Sequence, residues 1–189
     1  MQTSALEFIE TGLAALERSV REHDGDLRNV QLATLSPALH PGLRTLVLRS
    51  FERSPPRAEM HSDARADKVR DIAHAGRVSL LAWSAAEHLQ LRFEGTARLH
   101  RDDEIARGRW DVLSPNARST YGHVAVPGTP VADPEEQAHL PADEQFRQFV
   151  VILVSLASVD VLRLGPGGQQ TRASGRFASS GVVAAWVSA

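Results

Sequence analysis

The chain has 189 residues, a formal net charge of −2 and no cysteine. That length suits one compact domain with a core of its own. The missing cysteine excludes disulfides, thiolate metal sites and a thiol nucleophile, and the near-neutral charge argues against a general polyanion binder.

The first segment, "SALEFIETGLAALERSV", places Leu6, Ile9, Leu13, Leu16 and Val20 at three- and four-residue intervals. This spacing predicts an amphipathic helix within residues 1–24, with a Glu17–Arg21 pair supporting it. Its glutamates and the lack of a basic start argue against a signal peptide. No apolar run approaches the ~20 residues of a membrane span, so a cytoplasmic protein without membrane contact is expected. "VQLATL" (30–35) reads as a strand, and "SPALHPG" as a turn into a second strand, "GLRTLVLRSF". A Pro-Pro loop and a short strand near Ala58–His61 follow. "DARADKVRDIAHAG" has helical composition and stops at a glycine. "RVSLLAW" and the alternating "HLQLRFEGTARLH" are two more strands, and Asp102–Glu104 open a helix through Trp110. From Gly122 to Gln145 there are four prolines and five acids with no apolar period, the mark of a lid, a binding loop or disorder. "FRQFVVILVSLASVDVLRL", "TRASGRF" and "VVAAWV" complete the strands. Short strands at hairpin-like spacing predict a mainly β fold, an antiparallel barrel with peripheral helices in one domain.

Arg44 and Arg49 bracket the second strand. Five residues apart, they point to opposite faces of a regular strand and stand about 16 Å apart, so one elongated anion needs a bulge or strand end to re-aim one of them. Charged strand ends facing solvent account for the same spacing. In "HSDARADKV", Ser62, Arg65 and Lys68 lead into a helix start and together can make a phosphate nest, or Asp63 and Asp67 can pair with them locally. Gln90 stands on an alternating strand, suited to a heterocycle edge or to solvent. His61 and His123 read as turn or surface residues, and Trp83, Trp110 and Trp186 as core or interface aromatics. The eight histidines show no metal-ligand spacing, and no triad, Walker A or GxGxxG motif is present, so no metal and no catalytic side chain is nominated. Only "LRFEG" interleaves a base with an aromatic, too little for a nucleic-acid surface.

In order, these pieces resemble the pyridoxamine 5′-phosphate oxidase-like family of FMN-binding split barrels over about residues 28–187. "RTLVLR" is similar to the family's R-x-V-L-x-K/R strand, "HSDARADK" to its phosphate turn, "QLRFEG" to its Q-x-x-x-x-G strand and "TRASGRF" to its R-x-x-x-R-F end. Trp110, Arg118, Tyr121 and "PGTP" resemble the pyridoxamine phosphate oxidase-related subgroup. The resemblance implies an FMN-dependent oxidoreductase working as a homodimer, with FMN between the subunits. It implies FMN contacts from Arg44, Thr45, Leu46, Val47, Arg49, His61, Ser62, Arg65, Lys68, Gln90 and Arg176. Arg49, Arg118 and Arg172 are implied for an anionic small-molecule substrate. Arg65 sits two places earlier than the family arginine, where Asp67 stands, and Arg172-Ala173-Ser174 replaces the oxidase's arginine-leucine-histidine tripeptide, which weakens the case for pyridoxamine phosphate itself. A non-catalytic flavin-binding or sensory module, a split barrel using deazaflavin or haem, and a cofactor-free interaction barrel are the competing readings.

Overall fold

The structure is a computed structural model describing residues 3–134 and 137–189; residues 1–2 of the expected N-terminal segment and 135–136 of the long loop lie outside the described residues. Eight strands form one antiparallel sheet: β1 (Asn29–Leu35), β2 (Pro41–Arg53), β3 (Pro56–Asp63), β4 (Arg77–Ser84), β5 (Leu89–His100), β6 (Phe149–Leu164), β7 (Gln170–Ala178) and β8 (Gly181–Trp186). Their order is β3-β2-β1-β4-β5-β6-β7-β8, and a further β3–β6 pairing closes the first six into a barrel. One long β6 makes this closure possible. Its first half pairs with β3 and its second half with β7, while β5 runs along its other side. The β7–β8 ribbon therefore continues the sheet beyond the barrel.

Alternation decides which face each strand buries. Leu89, Leu91 and Phe93 of β5 point inward with Val30 and Leu32 of β1 and Val78, Leu80 and Ala82 of β4. Between Glu94 and Gly95 the register with β6 shifts, leaving Ala157 as the extra residue of a bulge on β6. A side chain at Gly95 would meet the Ser155 carbonyl oxygen at 2.4 Å, so only glycine lets the backbones approach.

Helix α1 (Ala5–Glu22) begins with a capping box between Ser4 and Glu7 and lays Ile9, Leu13 and Leu16 on the core. The apolar stripe held except at its start, where Leu6 is exposed and Phe8 buried instead. The Glu17–Arg21 pair does not form. Glu17 and Glu10 both receive the guanidinium of Arg53 on β2, while Arg21 pairs with Glu22. A long arginine reaching across from the barrel competes better for Glu17 than a helical neighbour worth a few tenths of a kcal/mol.

Helix α2 (Asp67–Ala75) packs against β1 and β5 and ends on Gly76 in the left-handed conformation, as the sequence predicts. Helix α3 (Glu104–Asp111) is capped by Asp103, and α4 (Pro115–Ser119) by Ser114. These two cover a satellite core of Trp110, Tyr121, Phe146, Phe149 and Val151. Among the described residues no helix is long and apolar enough to cross a membrane.

Candidate functional site

Strand β2 supplies the frame. Its residues 41–47 pair with β1, but pairing with β3 begins only at Leu48↔Met60. Among the described residues Leu43–Val47 form no backbone hydrogen bond outside the β1 ladder, so the edge of β2 that faces away from β1 is open beside β3 and the start of α2. Unpaired strand edges offer donors and acceptors to an extended or planar ligand. Thr45, Leu46 and Val47 lie along this opening.

Each end of the opening carries cations. At the α2 end, Ser62, buried on β3, accepts a hydrogen bond from Lys68 Nζ at 3.2 Å. Burial and the neighbouring Arg44 guanidinium push the Lys68 ammonium below its ordinary value of 10.5, against the opposing pull of Asp63 and Asp67. Two mutually repelling cations beside one buried hydroxyl are stabilised by an anion between them. At the other end is Arg49. Register advances from Leu48↔Met60 to Ser50↔Glu59, so Arg49 is the extra residue of a bulge. A bulge is the irregularity that the odd spacing from Arg44 calls for, and here it stands at Arg49 itself. Arg49 is exposed and makes no hydrogen bond or ion pair among the described residues. It lines a groove of about 440 Å³ with Val47, Asn29, Arg28 and the turn His23–Asp26.

Other expected ligands are engaged elsewhere. Arg65 grips Asp63 through two nitrogens and donates to the carbonyls of His123, Val124 and Ala125. Its guanidinium ties the long loop to the turn before α2, a contact between residues some sixty positions apart that no local pattern reveals. The loop is further held by a bridge between His123 and His139, whose rings lie 4.2 Å apart. Arg118 donates to the carbonyls of Trp110 and Asp111, closing the C-terminal end of α3. Arg172 donates through Nε to both oxygens of buried Asp160. His61 is not a surface residue: its side chain is 5% exposed, edge-on to Phe149, with Nε2 3.1 Å from Glu59 Oε1. Glu59 is the buried hub that sequence reading missed, since it also receives Nε of Arg109 on both oxygens.

Gln90 and Arg176 face outward on β5 and β7. Following the register, Arg176 lies beside Ser158, then Glu94, Ser79, Ala33 and Leu43. Five interstrand steps at ~4.8 Å put it about 24 Å around the wall from Arg44's neighbour Leu43. Along the wall, the strand of Arg176 and that of Arg44 are five steps apart.

Residues 12–101 match the family model described as "Pyridoxamine 5′-phosphate oxidase, FMN-binding domain". The matched segment is just under half of the chain. It contains the open strand, the Lys68 turn and Gln90, and FMN is the cofactor the family match assigns. Among solved structures, an FMN-binding, pyridoxamine 5′-phosphate oxidase-related protein from Nostoc punctiforme is 23% identical, with 95% of this chain and 96% of that one covered and a TM-score of 0.76. PhzG from Burkholderia lata, in complex with tetrahydrophenazine-1-carboxylic acid, is 15% identical over 100% and 94% of the two chains, with a TM-score of 0.72. A general stress protein 26-related protein of the pyridoxinephosphate oxidase family from Clostridium acetobutylicum is 9% identical over 90% and 95%, with a TM-score of 0.56. At these identities the three share the fold. No curated protein matches. The barrel expected of this FMN-binding family is the barrel observed.

The residues present fit the cofactor. Arg44, Ser62 and Lys68 suit its phosphate, the open β2 edge suits the chain and ring, and Arg49 suits a ring that becomes anionic on reduction.

If Lys68 holds the phosphate, its environment makes binding depend on pH. The phosphate of free FMN is already doubly ionised above pH 7, so its own titration adds little there. Phosphate favours protonated Lys68, so affinity is complete below the lysine's depressed pKa and declines as pH rises through it. Kd measured by flavin fluorescence between pH 7 and 10.5 should therefore increase before pH 10.5 is reached. Lys68→Met should bind more weakly but with a flat profile. A wild-type profile as flat as the variant's contradicts the assignment.

Proposed function

We propose that the protein is an FMN-dependent oxidoreductase that acts as a homodimer on a small molecule carrying one anionic group. The observation that carries this reading is the open edge of β2, with the Arg44–Ser62–Lys68 cluster at one end and Arg49, at a bulge, at the other. About 16 Å of strand separates the two arginines, a span that suits a phosphorylated planar cofactor. When bound, FMN supplies the redox chemistry; the chain binds its phosphate, orients the ring and places a cation near it.

Support for two copies comes from Arg176, which lies five strands along the wall from the Arg44 strand. A second copy facing the outer wall of the sheet would bring its own Arg176 to that strand. That wall exposes Leu43 and Leu35 and half-buries Leu81 and Trp83, an apolar surface suited to a partner. The narrowing of the substrate follows from the arginines. Arg118 and Arg172 are committed to carbonyls and to Asp160, so of the three cations expected for substrate only Arg49 is free. One guanidinium suits a monoanion better than a phosphate ester.

The test is a visible spectrum of the purified protein after adding FMN and removing the excess, followed by reductant screening under anaerobic conditions. Retained flavin bands that bleach with a small-molecule reductant and recover with an acceptor support the oxidoreductase. Retained flavin that no reductant bleaches favours a non-catalytic flavin module, and a colourless protein overturns the cofactor assignment.

A further inference from the structure

Behind Arg44 lie a buried carboxylate and a buried hydroxyl that no binding role has yet used. Asp71 on α2 and Thr34 on β1 are 7% and 4% exposed. Thr34 Oγ1 donates to Asp71 Oδ2 at 2.7 Å and accepts from Arg44 Nη1 at 2.6 Å. Nη1 also reaches the carbonyls of Leu32 and Gly42, at 3.3 and 3.2 Å, while Nη2 stands 3.7 Å from the same Asp71 oxygen. All inward bonding is thus concentrated on Nη1. Nε and Nη2 keep their N–H groups without a hydrogen-bond partner among the described residues.

An independent feature agrees. At Gly42 a Cβ would sit 2.4 Å from Arg44 Nη2 and 3.3 Å from Thr34 Oγ1. The guanidinium is folded back into the space that glycine leaves empty. Gly42 has no left-handed φ and so needs no glycine for its backbone conformation. Its missing side chain matters chiefly for Arg44, and less for Thr34.

We propose that Asp71 and Thr34 are positioning residues for cofactor binding: with Gly42 they form a seat that fixes the Arg44 guanidinium and turns its Nε–Nη2 edge to the phosphate. This rests on the FMN reading above and extends it to residues the binding motifs do not include. A carboxylate placed for attraction alone would oppose the phosphate charge, so its use here is orientation. Preorganising a long side chain removes an ordering cost otherwise met on binding. Helix α2 then carries a ligand, Lys68, and an orienter, Asp71, three residues apart on one face. Docking of α2 on β1 therefore sets both phosphate contacts at once.

The test compares FMN with riboflavin, which lacks the phosphate. Dissociation constants for both are measured on wild type, Gly42→Ala, Thr34→Val, Thr34→Ser and Asp71→Ala, with thermal melts of the flavin-free proteins. The wild type should favour FMN. Gly42→Ala, Thr34→Val and Asp71→Ala should each reduce that preference about tenfold, the scale of one charged hydrogen bond. Riboflavin affinity should be unchanged, and Thr34→Ser should keep the wild-type preference. Should Asp71→Ala not fold, Gly42→Ala reads the same ratio, because only the end of a flexible side chain has to move. Equal weakening of both flavins, or an unchanged preference in all three variants, overturns the proposal. A wild type that binds flavin without preferring FMN instead refutes the phosphate site itself, and the seat falls with it.

Discussion

Lys68→Ala and Arg44→Ala should each weaken FMN binding by about 1.5–3 kcal/mol, roughly 10- to 150-fold in Kd. Both side chains are partly buried at the end of the open β2 edge, so their hydrogen bonds to phosphate would form with water largely excluded. The two variants should differ in a second respect. Removing Lys68 relieves its repulsion with Arg44, and the flavin-free protein should not lose stability. Loss of Arg44 leaves the buried Asp71 carboxylate with Thr34 and without its nearby cation, so that protein should also melt lower. Isothermal titration at pH 7 with paired melts separates the two effects. Unchanged FMN affinity in both variants would refute the phosphate assignment.

Glu59→Gln should cost about 2–3 kcal/mol of stability with no direct effect on flavin. Glu59 is 3% exposed and holds two partners, Arg109 through both oxygens and His61 through one. Cutting a buried charge cluster typically costs ~3–5 kcal/mol, and the figure here is reduced because the Arg109 side chain is 47% exposed and regains water. For a chain of this size the loss corresponds to a fall of about 4–12 °C in Tm. The pH dependence has a definite sign. Burial pushes the Glu59 carboxyl up, but bonds from His61 and Arg109 outweigh it and leave the carboxyl below its ordinary 4.5. A depressed carboxyl contributes stability that is complete above its unfolded value and lost as pH falls through its folded one. The Tm gap between wild type and Glu59→Gln should accordingly be wide at neutral pH and close below pH 4.5. A gap that is absent at pH 7 removes Glu59 as the hub of this cluster.

The helices and strands were legible because each depends on neighbours in sequence. Alternation in β5, the stripe of α1 and the glycine after α2 all act within a few residues. The run 122–145 shows its lack of an apolar period in the sequence, but not its fastening, because Arg65 reaches its carbonyls from some sixty residues away. The same distinction runs through the candidate site. Arg44, Ser62 and Lys68 were legible as candidates and stand together. His61 is buried because Phe149 of the satellite core packs edge-on against it and Glu59 beside it, itself gripped by Arg109 of α3, takes its ring nitrogen.

What the sequence determined by itself was the inventory: a cysteine-free β chain, a strand with an arginine near each end, a basic turn opening a helix, and a resemblance strong enough to suggest the cofactor. Only the tertiary structure decided which of those cations stay available. Arg172 is claimed by Asp160, Arg118 by the end of α3 and Arg65 by a loop, whereas Arg49 is freed by a bulge and Arg44 is seated by Asp71. The reason is physical. A side chain's type follows from its own residue, but whether its charge is already compensated depends on partners that only folding brings within a few ångströms.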